Sequence, residues 1–258
     1  MGTIRYEKAD SLAVIVLNRP DVLNSFNREM ALEFQQALDD ASEDSKIRAV
    51  FITGEGRAFS AGQDLAEVTA DNGPQIDKIV REHYNPVISR IREIEKPVVA
   101  AVNGVAAGAG ANIALACDVV VASEKASFIQ AFSKIGLIPD SGGTYTLPRL
   151  IGWGKASALM MMGDKISAAD AESLGMIYKV FPDEVLMDES MKIARTLSEM
   201  PTRGLALTKH ALNMSSGNDL RQQLDLEEKL QTEAGATEDY KEGVDAFLQK
   251  RKPVFKGS

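Results

Sequence analysis

The stretch KPVVAAVNGVAAGAGANIALACD, residues 96–118, contains in one run the elements that decide the fold. Val98–Val102 is a short apolar run, which is typical of a buried strand. Asn103–Gly110 follows as a loop rich in glycine and alanine. Ala111–Cys117 predicts a helix, and the apolar run Val119–Ala122 predicts the next strand. A strand, a loop, a helix and a strand in this order indicate an α/β fold with mostly parallel strands.

The flanking segments extend this alternation. Leu12–Leu17 and Ala49–Thr53 predict two more buried strands, and between them Asn27 can cap a helix. The apolar face of that helix would consist of Met30, Phe34, Ala37 and Leu38. After about Leu150 the helical period dominates, so we expect a helical C-terminal third. The helices predicted there are Lys155–Met162, Ala168–Leu174, Asp188–Met200, Gly204–Met214, Leu220–Ala234 and Asp239–Lys250.

Composition excludes several classes of protein. The 258 residues are 45% hydrophobic, which is ample for a packed core, and the formal net charge of −8 argues against a nucleic-acid or membrane partner. Cys117 is the only cysteine, which fits a reducing compartment. The first residues lack the apolar region of a signal peptide, and glycines and asparagines interrupt the longest apolar run, Pro97–Cys117. We therefore expect a cytoplasmic protein.

Several segments resemble known motifs but lack residues that those motifs require. Gly108-Ala109-Gly110-Ala111-Asn112-Ile113 has Ile113 where the third small residue of a dinucleotide-binding loop belongs. Gly154-Lys155-Ala156 lacks the hydroxyl residue of a phosphate-binding P-loop. His83 and His210 stand alone, and one cysteine with two distant histidines makes no metal site. We therefore predict no metal.

Three glycine-containing loops remain: 60–65, 103–110 and 139–144. In an open parallel sheet, ligands bind at the carboxyl ends of the strands, where such loops lie. The second loop enters a helix directly, so its unpaired N–H groups would point at a ligand. The alternative is that its small residues only permit close helix–strand packing.

Asp140 lies between Pro139 and a Gly-Gly turn, after an apolar segment. One interpretation is a turn-forming or helix-capping aspartate. The other is an acid/base residue, whose pKa an apolar pocket would raise toward the useful range. The residues alone leave both interpretations open.

In their order and spacing, the motifs resemble the crotonase (enoyl-CoA hydratase/isomerase) superfamily, nearly from end to end. The matching segments are Leu17–Pro20 with Leu23-Asn24, Phe59–Leu65, Lys96–Gly104, Cys117-Asp118, Ile138–Thr144 and Glu242–Leu248. The resemblance implies an α/β fold of the ClpP/crotonase type, a spiral of ββα units. Residues 1–200 would form this core, and residues 201–258 a helical region for trimerisation and active-site cover. A homotrimer or a dimer of trimers is expected.

The resemblance also implies a ligand, an acyl-CoA thioester, with no cofactor beyond the coenzyme A of the substrate. The backbone N–H groups of Gln63 and Ala109 would form an oxyanion hole for the thioester oxygen. The expected coenzyme A contacts are Val22, Leu23, Ala61, Asp64 and Leu65, with Lys250 near the phosphates. The expected substrate pocket comprises Tyr84, Gly110, Asn112 and Phe132.

Two departures from the family pattern indicate the reaction. Hydratases of the superfamily use two glutamates to add water, and this chain has Asn112 and Phe132 at those positions. Neither can act as an acid or base, whereas Asp140 stands where hydratases tend to carry glycine. The branch of 1,2-epoxyphenylacetyl-CoA isomerases from phenylacetate catabolism is similar in the segments 84–86, 103–110 and 131–140.

We therefore expect an acyl-CoA isomerase in which Asp140 is the single acid/base, acting on an unsaturated or ring-epoxide acyl group. One alternative is a hydratase (a lyase) that uses Asp140 and an ordered water. Others are a nucleophilic Asp140 and a non-catalytic subunit that binds acyl-CoA. A complex with a hydratase paralogue is a further expected partner.

Overall fold

The computed structural model describes residues 2–258, which form two sheets surrounded by helices. Ten strands are present: β1 (Ile4–Ala9), β2 (Leu12–Leu17), β3 (Ala49–Gly54), β4 (Ala58–Ser60), β5 (Val98–Val102), β6 (Val105–Ala107), β7 (Val119–Ser123), β8 (Ser127–Ile129), β9 (Lys165–Ser167) and β10 (Lys179–Phe181).

The helices alternate with these strands in the first two thirds of the chain and then follow one another. They are α1 (Arg28–Glu43), α2 (Leu65–Val68), α3 (Ile76–Lys78), α4 (Asn85–Glu93), α5 (Ala109–Leu115), α6 (Gly143–Ile151), α7 (Trp153–Met162), α8 (Ala168–Ser173), α9 (Leu186–Glu199), α10 (Thr202–Ser215), α11 (Leu220–Gly235) and α12 (Glu238–Gln249). Short 3₁₀ turns cover Pro20–Val22, Ala131–Ile135 and Asp183–Val185, and a π-helix covers Ile79–Tyr84.

The larger sheet has the strand order β1-β2-β3-β5-β7-β10. All neighbours in it are parallel except β1, which pairs with β2 as an antiparallel hairpin. Every residue of β3 and β5 is buried, because helices cover both faces of the sheet. The four strands predicted from apolar runs are confirmed, together with their parallel arrangement.

The smaller sheet, of order β4-β6-β8-β9, positions the loops. Its strands β4 and β6 are parallel neighbours, with Ala58 opposite Val105 and Ser60 opposite Ala106. The loop after β4 and the loop after β6 therefore leave the sheet side by side. Neither three-residue strand was predicted, because strands this short show no period in the sequence.

Asn27 caps α1 as predicted, since its side chain accepts a hydrogen bond from the Met30 amide. The prediction for α5 was wrong at its start: the helix begins at Ala109, two residues before Ala111, and it ends at Leu115. Gly108, at φ +53°, turns the chain directly from β6 into the helix.

The C-terminal third is helical as predicted, and the six expected helices agree with α7–α12 to within two residues at each end. Two short strands that were not predicted, β9 and β10, interrupt this region. They form because β8 and β7 each have a free edge to pair with. Within residues 2–258, no helix combines the length and apolar character needed to cross a bilayer.

A charge cluster around the buried Lys209 joins α10 to the core. Asp118 Oδ2 accepts hydrogen bonds from the Val98 amide and from Lys209 Nζ, both at 2.8 Å, and Oδ1 pairs with Arg92 at 3.1 Å. Lys209 Nζ also donates to the carbonyl of Ile91 at 2.7 Å. The Lys209 side chain is 7% exposed, so its charge depends on these acceptors.

Replacing Asp118 with alanine removes the carboxylate and leaves the Lys209 ammonium buried without a counter-charge. We expect the free energy of unfolding to fall by about 3–5 kcal/mol, measured by urea denaturation followed by circular dichroism. The matched control is Glu199→Ala, whose partner Lys252 is exposed, and it should change stability by about 0.5 kcal/mol or less. Equal effects of the two substitutions would contradict the assignment.

Candidate active site

A cavity of about 220 Å³ opens between the loop after β4, the start of α5 and the segment before α6. Its walls are mostly apolar, and Tyr84 and Asp140 are the titratable side chains among the residues that line it. The lining residues are Ala61, Gly62, Gln63, Leu65, Val68, Ile76, Ile79, Val80, Tyr84, Gly108, Ala109, Ala131, Phe132, Ile135, Leu137 and Asp140. The cavity therefore brings together seven predicted site residues: Ala61, Gln63, Leu65, Tyr84, Ala109, Phe132 and Asp140.

Two backbone amides are available at the cavity wall. The N–H groups of Gln63 and Ala109 donate to no acceptor within residues 2–258. The loops that carry them are in close contact, because a Cβ on Gly62 would lie 2.8 Å from the Ala107 carbonyl oxygen and 3.5 Å from the Ala109 nitrogen. Gly62 has φ +89°, so glycine is needed there for its backbone angle as well as for space. Two unpaired donors beside an apolar cavity can stabilise an oxyanion.

Gly110 does not line the cavity. A Cβ at this position would lie 2.6 Å from the Ser60 side chain and 2.7 Å from its carbonyl oxygen. Its role is therefore to allow α5 to pack directly against β4, which corresponds to the packing interpretation of this loop. The same loop therefore provides an unpaired amide and a glycine that is needed for close packing.

Asp140 lines the cavity together with Tyr84. Burial raises the pKa of Asp140 above its ordinary value, and the hydrogen bond from the Ser141 hydroxyl opposes that shift. The Ser141 Oγ donates to Asp140 Oδ1 at 2.8 Å. An aspartate in this environment is suited to accept and return a proton.

Asn112 lies behind Asp140 rather than on the cavity surface. Its Nδ2 donates to the Asp140 carbonyl oxygen at 2.9 Å, and its Oδ1 accepts from Gln130 Nε2 at 2.8 Å. Gly143 packs so closely that a Cβ there would lie 2.4 Å from Asn112 Nδ2. Asn112 thus holds the loop that carries the carboxylate and is not among the residues that line the cavity, where the substrate pocket was expected.

Tyr84 ends the π-helix and is 1% exposed. Its hydroxyl donates to Gln63 Oε1 at 2.8 Å, and Gln63 Nε2 donates to Glu67 Oε2 at 3.0 Å. Burial, followed by the nearby Asp140 charge, raises the pKa of Tyr84 well above its ordinary value. Tyr84 therefore stays neutral at physiological pH, and its hydroxyl together with Glu67 fixes the Gln63 side chain.

Four predicted coenzyme A contacts lie outside the cavity wall. Val22 and Leu23 form a turn beside it, where the Ala61 amide donates to the Leu23 carbonyl at 2.9 Å. The Asp64 carboxylate pairs with Arg19 at 2.8 Å and caps α2. Lys250 caps the end of α12 and is not among the lining residues.

The histidines and metal-type ligands contribute nothing to this site. His83 is buried in the π-helix and His210 lies on α10, and neither lines the cavity. Within residues 2–258 there is no group of three His, Cys, Asp or Glu side chains that could hold a metal ion. Ser141 and Gln130 were not predicted as site residues, because nothing in a linear sequence marks a hydroxyl or an amide that contacts the loop of a catalytic residue.

Residues 7–258 match the family of enoyl-CoA hydratases/isomerases. The 1,2-epoxyphenylacetyl-CoA isomerase of Escherichia coli K12 is 48% identical over 94% of each chain, and a probable enoyl-CoA hydratase of Rhodobacter capsulatus is 45% identical over 99% of this chain and 98% of its own.

A crystal structure of an enoyl-CoA hydratase from Bacillus anthracis superposes with a TM-score of 0.93 at 32% identity, covering 99% of this chain and 100% of that one. The expected crotonase-type fold is confirmed by this likeness. Because the match to the family covers residues 7–258 and the identity to a relative reaches 48% over 94% of the chain, this protein belongs to the enoyl-CoA hydratase/isomerase family.

Proposed function

We propose that this protein is an acyl-CoA isomerase that moves a double bond, or rearranges a ring epoxide, within the acyl group of a coenzyme A thioester. The observation that carries the proposal is the single carboxylate, Asp140, in a cavity that is also lined by two residues with unpaired backbone amides. The thioester oxygen would lie between the amides of Gln63 and Ala109. Asp140 would face the carbon chain beyond the thioester carbonyl.

The proposed step for a 3-enoyl thioester balances without a co-reactant. Asp140 removes a proton from C2, and the electrons of that C–H bond move into the thioester to form a dienolate. The amides of Gln63 and Ala109 donate to the enolate oxygen and so lower the barrier. Asp140 then returns the proton to C4, which leaves a 2-enoyl thioester and restores the carboxylate.

The absence of hydratase-type carboxylates supports isomerisation over hydration. Asn112 is hydrogen-bonded to the Asp140 carbonyl and to Gln130, so it holds a loop rather than a water. Phe132 lines the cavity as an apolar side chain that excludes water from this wall. Relatives named as hydratases are nevertheless as extensive in coverage as the isomerase, so hydration is the competing function that the experiments must exclude.

The size of the cavity supports a compact acyl group. A cavity of about 150 Å³ is known to hold benzene, so about 220 Å³ has room for one ring or a comparable chain. The isomerase of E. coli named for 1,2-epoxyphenylacetyl-CoA agrees with a ring substrate. We include such a thioester in the proposed range for this protein, and with it a place in phenylacetate catabolism.

The proposed binding site for coenzyme A follows the rim of the cavity. The turn at Val22–Leu23 and the loop Ala61–Leu65 would hold the adenine, and Lys250 would meet the phosphates. The proposed assembly is a homotrimer or a dimer of trimers that forms through residues 201–258, in the cytoplasm. The proposed site needs no metal and no cofactor other than the coenzyme A of the substrate.

Replacing Asp140 with asparagine keeps the size of the side chain and removes the base. We expect the rate of 3-enoyl-CoA isomerisation to fall by about 10²–10⁴-fold, while the affinity for the thioester changes little, because the two amides are untouched. Asp164→Asn, an exposed aspartate with no hydrogen-bond partner in residues 2–258, is the matched control. A variant at position 140 that retains the wild-type rate would contradict the proposed mechanism.

A panel of thioesters separates isomerase from hydratase. We expect 3-enoyl-CoA and ring-epoxide acyl-CoA to be converted by the wild-type protein faster than 2-enoyl-CoA is hydrated, because no second carboxylate holds a water. Liquid chromatography coupled to mass spectrometry measures both, since hydration adds the mass of one water and the isomers, which have equal mass, are separated by their retention times. Faster hydration would favour the hydratase, and binding without turnover of any thioester would favour a non-catalytic subunit.

The pH dependence of kcat/KM should report the raised pKa of Asp140. The base must be ionised, so activity is lost as the pH falls through that pKa. Burial raises the pKa of Asp140, so the acidic limb of the profile should lie above the pKa of a solvated aspartate, which is about 4. A limb at or below that value would contradict the assignment of Asp140 as the base.

A further inference from the structure

Ser141 contacts the proposed base directly. Its hydroxyl donates to Asp140 Oδ1 at 2.8 Å, and the side chain is buried, with 2% of the residue exposed. No other residue within 2–258 makes a hydrogen bond to this carboxylate through its side chain. A buried hydroxyl aimed at the one carboxylate of the cavity is a contact that the proposed reaction would use.

The backbone at Ser141 is in a conformation that favours glycine. Ser141 has φ +52°, in the left-handed region that residues with a Cβ rarely adopt, and the next residue, Gly142, has φ +71°. A glycine at position 141 would fit this turn with less strain. The serine is therefore placed at a cost to the fold, which points to a use for its hydroxyl.

The backbone carbonyl of Asp140 already has hydrogen-bond partners. Its carbonyl oxygen accepts from Asn112 Nδ2 at 2.9 Å and from the Gly143 amide at 2.8 Å. Its Oδ1 accepts from the Ser141 hydroxyl, and the backbone amide of Asp140 itself also donates to the carboxyl group. Ser141 is thus the side chain that fixes one carboxylate oxygen, and no side chain within residues 2–258 donates to Oδ2.

We propose that Ser141 is a positioning residue of the isomerase site: its hydroxyl fixes Oδ1 of Asp140, so that Oδ2 is the oxygen that takes and returns the proton. This inference rests on the proposed function of Asp140. The contact also stabilises the ionised carboxylate against the effect of burial, because a donated hydrogen bond favours the charged form. The base is thereby kept ionised and oriented at the same time.

The surroundings of Asp140 leave few other groups that could set its titration. Tyr84, from the π-helix, is the other titratable side chain on the cavity wall, and its pKa is raised, so it stays neutral. From the segment before α6 and from α5, the neighbours are Ser141 and Asn112, neither of which titrates. Burial and the Ser141 hydroxyl are therefore the dominant influences on Asp140.

Two substitutions separate positioning from structural support. Ser141→Gly removes the hydroxyl and relieves the backbone angle, whereas Ser141→Ala removes the hydroxyl and keeps the angle. We expect both to raise the pKa of Asp140 by about one unit, equivalent to about a tenfold change in its ionisation constant. We expect Ser141→Gly to have at least the thermal stability of the wild type and more than Ser141→Ala.

The pKa is measured by titrating the carboxyl ¹³C shifts of Asp-labelled protein, with Asp140→Asn identifying the signal, and the acidic limb of kcat/KM should move by the same amount. Ser133→Ala, an exposed serine on the neighbouring 3₁₀ turn, is the control and should move neither. An unmoved Asp140 pKa in both variants overturns the inference, as does a Ser141→Gly variant that loses stability. A wild-type protein that turns over no thioester overturns the proposed function instead, and the carboxyl titration needs no turnover.

Discussion

The close packing of the Gly62 loop against the first turn of α5 is the constraint on which the site depends. A Cβ on Gly62 would meet the backbone of Ala107 and Ala109, and a Cβ on Gly110 would meet Ser60 at the end of β4, so the two segments pack closely. This contact sets the amides of Gln63 and Ala109 at one wall and denies each an acceptor in the chain. The parallel pairing of β4 with β6 brings the two segments together in the first place.

The segment that carries Asp140 depends on a second set of polar contacts. Asn112 extends from α5 to the carbonyl of Asp140, so one helix provides the unpaired Ala109 amide at its first residue and a support for the Asp140 segment three residues later. The positions of the two chemical groups are therefore coupled through a single rigid element. Gln130 holds the Asn112 amide from the far side and so fixes which of its atoms faces the loop.

Much of this arrangement can be predicted from the sequence. The features that cannot be predicted share a physical reason. Apolar runs such as Val98–Val102 identify the central strands because burial on both faces needs unbroken hydrophobic residues. Glycine loops and Asp140 could be singled out by motif. The three-residue strands, the early start of α5 and the contact of Ser141 could not, because they depend on pairing partners or backbone angles set by distant residues.

The π-helix at Ile79–Tyr84 has a consequence for how the family can diversify. Its hydrogen bonds span five residues rather than four, so this turn contains one more residue than an α-helical turn of the same kind. Ile79, Val80 and Tyr84 all line the cavity, whereas no strand residue does and α5 contributes only its first residue, Ala109. Insertion or loss of a single residue here would rotate the side chains on this part of the cavity wall while leaving the two unpaired amides and the Asp140 carboxylate in place, so the shape of the cavity and its polar groups can evolve separately.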